Sequence, residues 1–118
     1  MWEKAGLRTP FVRPNGAPTK ITFGDMDLLT ERNGHFLFIE GKRQDEEPSL
    51  GQEILLKALV RDGHTVLVIY GDPPTDIREL RWWGQSERQP SSVEDFHAQV
   101  SAWFAVVDEL TPRHRDRP

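Results

Sequence analysis

The chain has 118 residues, of which 36% are hydrophobic, 29% are charged and none is cysteine. This length predicts a single core, and the absence of cysteine excludes disulfides, thiolate metal sites and a cysteine nucleophile. The formal net charge of −4 argues against a nonspecific nucleic-acid coat protein, which is usually basic. Its distribution says more than its sum. Residues 1–20 carry Lys4, Arg8, Arg13 and Lys20 against Glu3 alone, so the acidic excess lies further along the chain. No apolar run is long enough for a transmembrane span. The first ten residues, MWEKAGLRTP, lack the apolar stretch of a signal peptide, which predicts a cytoplasmic location.

Residues 1–19 contain Pro10, Pro14 and Pro18 with Gly6 and Gly16, too broken for a long helix, and read as a basic arm. From Lys20 the pattern turns to β. Lys20 to Phe23 alternates, Met26 to Glu31 follows, and His35 to Lys42 forms a third run. Asn33-Gly34 between the last two is the signal of a two-residue type I′ hairpin. The loop Asp45-Glu46-Glu47 reads as solvated. Ser49 opens a helix, with Gln52 completing a capping box, Leu50, Ile54, Leu55, Ala58 and Leu59 as its apolar face, and Gly63 as its stop. Thr65 to Tyr70 (TVLVIY) reads as a strand covered on both faces and stopped by Gly71 to Pro74. Ile77 to Trp83 reads as a short strand. Ser91 or Ser92 caps a last helix over 91–110, with Val93, Phe96, Val100, Trp103, Phe104 and Val107 on its apolar stripe. Residues 111–118 form a tail. A hairpin followed by a strand–helix–strand crossover predicts an α/β fold, a mixed β-sheet flanked by helices.

The hairpin carries the chemistry. If Asn33-Gly34 is the turn, cross-strand partners sum to 67, so Asp27 opposes Glu40 and Asp25 opposes Lys42. All four then project from one face. Like charges directly opposed in a ladder are destabilising by about 0.2–1 kcal/mol, so folding alone does not explain the pair. A divalent cation resolves the conflict, because Mg²⁺ accepts one or two carboxylates while keeping several waters. Lys42, on the same face, can orient a water, help deprotonate it, or stabilise charge on a phosphate. Phe36 and Phe38 extend that face into apolar surface, which puts the charged group at the rim of a core. Solvated sheet faces also carry D-x-D or E-x-K, and the force of the pattern lies in the combination.

Residues 24–42, GDMDLLTERNGHFLFIEGK, resemble the signature of the PD-(D/E)XK nuclease superfamily: an acid on one strand and E-x-K on the next. The continuation through Ser49-Leu50-Gly51-Gln52, a helix, Gly63 and the strand ending at Gly71 is similar to the small stand-alone VRR-NUC branch. The likeness covers residues 20–71 and implies a restriction-endonuclease-like sheet. It further implies a Mg²⁺-dependent DNA endonuclease, with Mn²⁺ as a substitute, acting on branched DNA as a homodimer, with no nucleotide cofactor. Asp27 and Glu40 would hold the metal, Lys42 would assist the water and Gln52 would line the site. No proline precedes either aspartate, so Asp25 stays a candidate metal ligand. Asp27 is favoured by the pairing and by the Leu28-Leu29 that follows. The acid that many relatives supply from an N-terminal helix has only Glu3 as a counterpart. First-turn capping accounts for Gln52 without any chemistry.

Other residues read more simply. His35, His64, His97 and His114 have no metal-ligand spacing, and surface or capping roles suffice. Trp82 and Trp83 beside Arg78 and Arg81 could stack on unpaired bases. The favoured reading places one indole in the core and the other at a dimer face. Trp103 and Phe104 belong to the last helix's apolar stripe. Arg8 and Arg13 in the arm, with Arg113, Arg115 and Arg117 in the tail, are candidate backbone clamps. The rival to an enzyme is a catalytically inactive nuclease-fold module that binds DNA or a protein partner.

Overall fold

The computed structural model describes residues 13–17, 27–72 and 75–111. The strand expected at Lys20–Phe23, most of the arm, Asp25, Glu3, His114 and the tail arginines lie outside the described residues. The described chain forms β1 (Leu28–Arg32), β2 (His35–Arg43), α1 (Leu50–Arg61), β3 (Thr65–Asp72), β4 (Asp76–Trp82), β5 (Gln89–Pro90) and α2 (Val93–Asp108). These make one five-stranded sheet in the order β1-β2-β3-β4-β5. The β2–β3 pair is parallel and the other pairs are antiparallel. The fold is therefore mixed α/β, as the order of elements predicts.

Local chemistry explains most boundaries. Asn33 (φ +54°) and Gly34 (φ +82°) both take the left-handed conformation of a type I′ turn. The resulting register pairs Leu28 with Ile39 and Arg32 with His35, the predicted sum of 67. The Asn33 side-chain amide also donates to the carbonyls of Val107, Asp108 and Leu110, so the hairpin tip caps the end of α2. Ser49 and Gln52 form the complete capping box of α1. At the other end, Gly63 donates to the Val60 carbonyl and His64 to that of Leu59, a Schellman stop in which Gly63 adopts φ +90°. Ser92 is the N-cap of α2, and Ser91 bonds the Asp95 carboxylate.

The two helices cover opposite faces of the sheet. Leu37, Ile39, Leu67, Ile69, Ile77 and Leu80 form one core, sealed by Trp82 and by Val93, Phe96, Val100 and Trp103 of α2. Val66, Val68 and Tyr70 form the other with Leu56, Leu59 and Val60 of α1, Phe38 and Trp83. Strand alternation sends successive residues of β3 into different cores, which is why TVLVIY carries almost no polar side chain.

Several expectations need correction. The stripe of α1 that enters the core is Leu56, Leu59 and Val60, whereas Leu50 is 73% exposed, Ile54 63%, and Leu55 also lies outside. This helix is apolar around much of its circumference, so periodicity alone does not choose the face. Phe104 is half exposed, with Arg32 over its ring, and is not core. Trp82 and Trp83 pack into the two separate cores, and Trp82 Nε1 donates to Gln99. Trp83 is buried, and Trp82 is half-buried beside Gln99 and Trp103. β3 runs past its expected stop through Gly71 to Asp72, with the ladder to β4 shifting register at Tyr70 and Gly71.

Gly71 is held at φ +141°, and a Cβ built there would sit 2.6 Å from the Asp76 carbonyl oxygen. Both backbone strain and a collision with main chain follow from any side chain. Gly71→Ala is expected to lower stability by about 1–3 kcal/mol in urea unfolding, with an unchanged slope against denaturant.

Candidate functional site

The parallel β2–β3 pair ends at one edge of the sheet, with Gly41, Lys42 and Arg43 level with Ile69, Tyr70 and Gly71. Open α/β sheets commonly bind ligands outside the carboxyl ends of such strands. A depression of about 540 Å³ lies there, bordered by Asp27, Leu28, Lys42, Arg43, Glu46 and Asp72, with Ile39 and Ile69 at its apolar side. Gly41 and Gly71 also line it, and their missing side chains leave its volume open.

Asp27 sits in a bend just before β1, and its Oδ2 accepts the backbone N–H of Gly41 at 2.7 Å. The carboxylate is thereby fixed against β2 between Glu40 and Lys42, with its orientation set by main chain. Glu40 is 7% exposed and is the buried charged residue of the described core. It does not border the depression: strand alternation directs it to the α1 face, level with Val68. Lys42, on the same face as Glu40 by strand alternation, reaches the depression at the strand end with Asp27, whereas Glu40, one pair further in and level with Val68, is buried beside it. Of the four residues expected on one face, Glu40 and Lys42 share theirs by alternation, and Asp27 stands at a bend one residue before the ladder, with its carboxylate on the Gly41 amide. Asp25 lies outside the described residues.

Gln52 is committed to the capping box, where its Oε1 accepts the Ser49 N–H at 3.0 Å. Its side chain is therefore explained by helix initiation. Among the described residues, no group of three or more histidine, aspartate or glutamate side chains is placed to hold a metal ion. The available donors are carboxylate oxygens of the hard kind that Mg²⁺ accepts, and one or two suffice when water and phosphate complete the shell.

The least expected feature is Arg88, which was not singled out by any motif. Its guanidinium lies 3.5 Å over the Tyr70 ring and donates to the carbonyls of Gln44 (2.7 Å) and Glu46. It also pairs with Glu47 and, at 3.4 Å, with Glu79. The Gln44 side-chain amide donates to Glu79 as well. Asp45, Glu46 and Glu47 are exposed, as expected of a solvated loop, but Arg88 ties the loop to β4 through the Gln44 and Glu46 carbonyls and Glu47. Burial works to lower the Arg88 pKa, but bonding to Glu47 and the charges around it raise it overall. Burial, with Glu47 second, also pushes the Tyr70 phenol up, so both groups stay protonated near neutrality. Among the described residues the Tyr70 hydroxyl is buried with no hydrogen-bond partner. Arg81 stacks at 4.3 Å on Trp83 and donates to the Ser86 carbonyl, so it serves the fold and not a phosphate. An arginine after a strand with acids in a distant loop has no local sequence signature, which is why Arg88 escapes pattern reading.

Comparison of the chain with protein families, with curated proteins and with solved structures finds no match.

Arg88→Ala is expected to destabilise the protein by about 1–3 kcal/mol in urea unfolding, the scale of charge-assisted hydrogen bonds lost from partly covered carboxylates. Arg88→Lys should recover less than half, because an ammonium cannot serve the two carbonyls and both carboxylates in one plane.

Proposed function

We propose that this chain is a divalent-metal-dependent nuclease that hydrolyses phosphodiester bonds in DNA. The observation that supports it most is the Asp27 carboxylate, anchored by the Gly41 amide beside Lys42 at the carboxyl end of a parallel strand pair. Anchoring one oxygen restricts the direction of the other and lowers the entropy lost when a ligand binds. Asp27 is the carboxylate at the depression that would hold Mg²⁺, with Glu40 as the second ligand that the E-x-K likeness assigns, and the ion when bound would supply charge neutralisation at the phosphate. Lys42 borders the same depression as Asp27. Its three N–H donors can orient an attacking water and stabilise the added charge on the phosphoryl oxygens. Branched DNA is the substrate class suggested by the resemblance to PD-(D/E)XK nucleases.

Two observations favour a second reading, an inactive nuclease-fold module that binds DNA or a protein: Gln52 is taken up in helix capping, and Glu40 stands outside the depression. Incubation with duplex, single-stranded, flap and four-way DNA in Mg²⁺ or Mn²⁺ separates the two. Cutting of at least one substrate is expected. Asp27→Asn and Glu40→Gln should each reduce it by about 10²-fold or more, and Lys42→Ala by a similar factor. Absence of cutting with either metal on all four substrates leaves the inactive module as the function.

A homodimer belongs to the same proposal. The outer flank of α1, with Leu50 and Ile54 exposed, is apolar surface that association would bury. Sedimentation is expected to give a dimer that Ile54→Lys converts to monomer while leaving the fold intact by circular dichroism.

A further inference from the structure

The described arginines near the sheet differ in what already holds them. Arg88 and Arg81 are engaged as above, Arg32 pairs with Asp108 at 2.5 Å, and Arg78 pairs with Asp76 at 2.9 Å. Arg43 is held much less. Its side chain is 85% exposed, and its nearest described acid is Glu46, with Nε and Oε1 3.8 Å apart. That carboxylate oxygen also accepts Arg43's own backbone N–H, at 3.3 Å. Such a pair in water contributes about 0–1 kcal/mol, so it offers little resistance to a better anion.

Arg43 is the last residue of β2, adjacent to Lys42 and level with Gly71, and it borders the depression that Asp27 also lines. Successive side chains of a strand point to opposite faces, so Lys42 and Arg43 diverge from the strand end. Two diverging cations suit two different phosphates of a nucleic-acid strand better than one shared phosphate. Gly71 across the ladder keeps the adjoining space clear, since no side chain can be built there without striking Asp76. An exposed guanidinium pays little desolvation when it meets a phosphate, and its planar fork matches two phosphoryl oxygens.

We propose that Arg43 anchors the substrate, holding a backbone phosphate next to the one addressed by Asp27 and Lys42. This assignment rests on the nuclease reading and adds a substrate-binding residue outside the acid and E-x-K pattern. Its contribution is to affinity. It does not touch the scissile phosphate, so turnover at saturating DNA should not depend on it.

The test uses the full chain and a fluorescent duplex. Binding is followed by anisotropy with Ca²⁺ in place of Mg²⁺, over a range of salt concentrations, and cutting is measured separately in Mg²⁺. Arg43→Ala is expected to raise Kd and KM by about tenfold, the value of one charged hydrogen-bonding contact, with kcat within about twofold. The slope of log affinity against log salt should flatten by about 0.9, as one phosphate contact is lost. Arg43→Lys should keep the parent slope while recovering only part of the affinity. Arg61→Ala, at the far end of α1, controls for loss of general positive charge and should leave the slope unchanged. Thermal melts guard against misfolding, which the exposure of Arg43 makes an unexpected outcome. If the parent cuts DNA and Arg43→Ala has the parent's Kd and salt slope, the anchoring role is wrong and the nuclease reading stands. A loss of kcat with unchanged Kd and slope also overturns anchoring. A parent that neither binds nor cuts DNA overturns both.

Discussion

The burial of β3 on both faces is the constraint from which the rest of the structure follows. Val66, Val68 and Tyr70 need one helix over them, and Leu67 and Ile69 need another. Pairing β3 parallel to β2 requires a crossover, and α1 supplies both the crossover and the first cover. Its length is set at each end by backbone chemistry, the Ser49–Gln52 box and the Gly63 stop, so little freedom remains in where β3 begins. The second cover, α2, is tied at its far end by the hairpin tip through Asn33 and by Arg32 with Asp108. The hairpin that presents Asp27 and Glu40 is therefore braced by the last helix, some seventy residues away in sequence.

The same constraint creates the depression. Where β2 and β3 end, side chains give way to Gly41 and Gly71, and the apolar floor of Ile39 and Ile69 meets solvent between charged residues. Closing that edge with larger residues would bury more area, at roughly 25 cal/mol per Å². At Gly71 the backbone forbids it. On the α1 side, Arg88 does what apolar packing cannot at a polar edge. It satisfies two loop carbonyls and two carboxylates while covering the Tyr70 ring, and so ties the loop leading into α1 to the sheet. The result is a rim beside Lys42 held by charge-assisted hydrogen bonds.

What could be read from the sequence was what depends on neighbours in the chain. Asn33-Gly34 dictated the turn and the register, Ser49 with Gln52 and Ser92 set the helix starts, and TVLVIY announced a doubly covered strand. What could not be read depends on distant partners. The inward face of α1 is decided by which of several apolar stripes meets the sheet, and the acidic loop is ordered by an arginine more than forty residues away. The candidate site is a mixed case. The turn fixes the register of the ladder from Leu28 with Ile39 onward, and Asp27 stands one residue before it, where the alternation of a regular strand no longer applies. There the chain bends and the Gly41 amide holds the carboxylate. Gln52 illustrates a different limit, because the residue type required for capping is the same one that the family likeness would assign to a site.

The charge balance now has a physical location. The depression is bordered by Asp27, Glu46 and Asp72 on the acidic side and by Lys42 and Arg43 on the basic side. Left to themselves, these groups give a polyanion no net attraction, in keeping with the overall charge of −4. A divalent cation would reverse the local sign, because two positive charges outweigh the single-charge acidic excess at the rim. Affinity for a phosphate chain at this edge would then depend on the metal before any chemistry occurs. Elsewhere, Arg88 and Arg81 are turned inward to the fold, so the described surface offers few cations for binding DNA indiscriminately. Under the proposed nuclease reading, an acidic chain of this design would gain nucleic-acid affinity only where a metal sits, which would couple binding to the place where a phosphodiester could be cut.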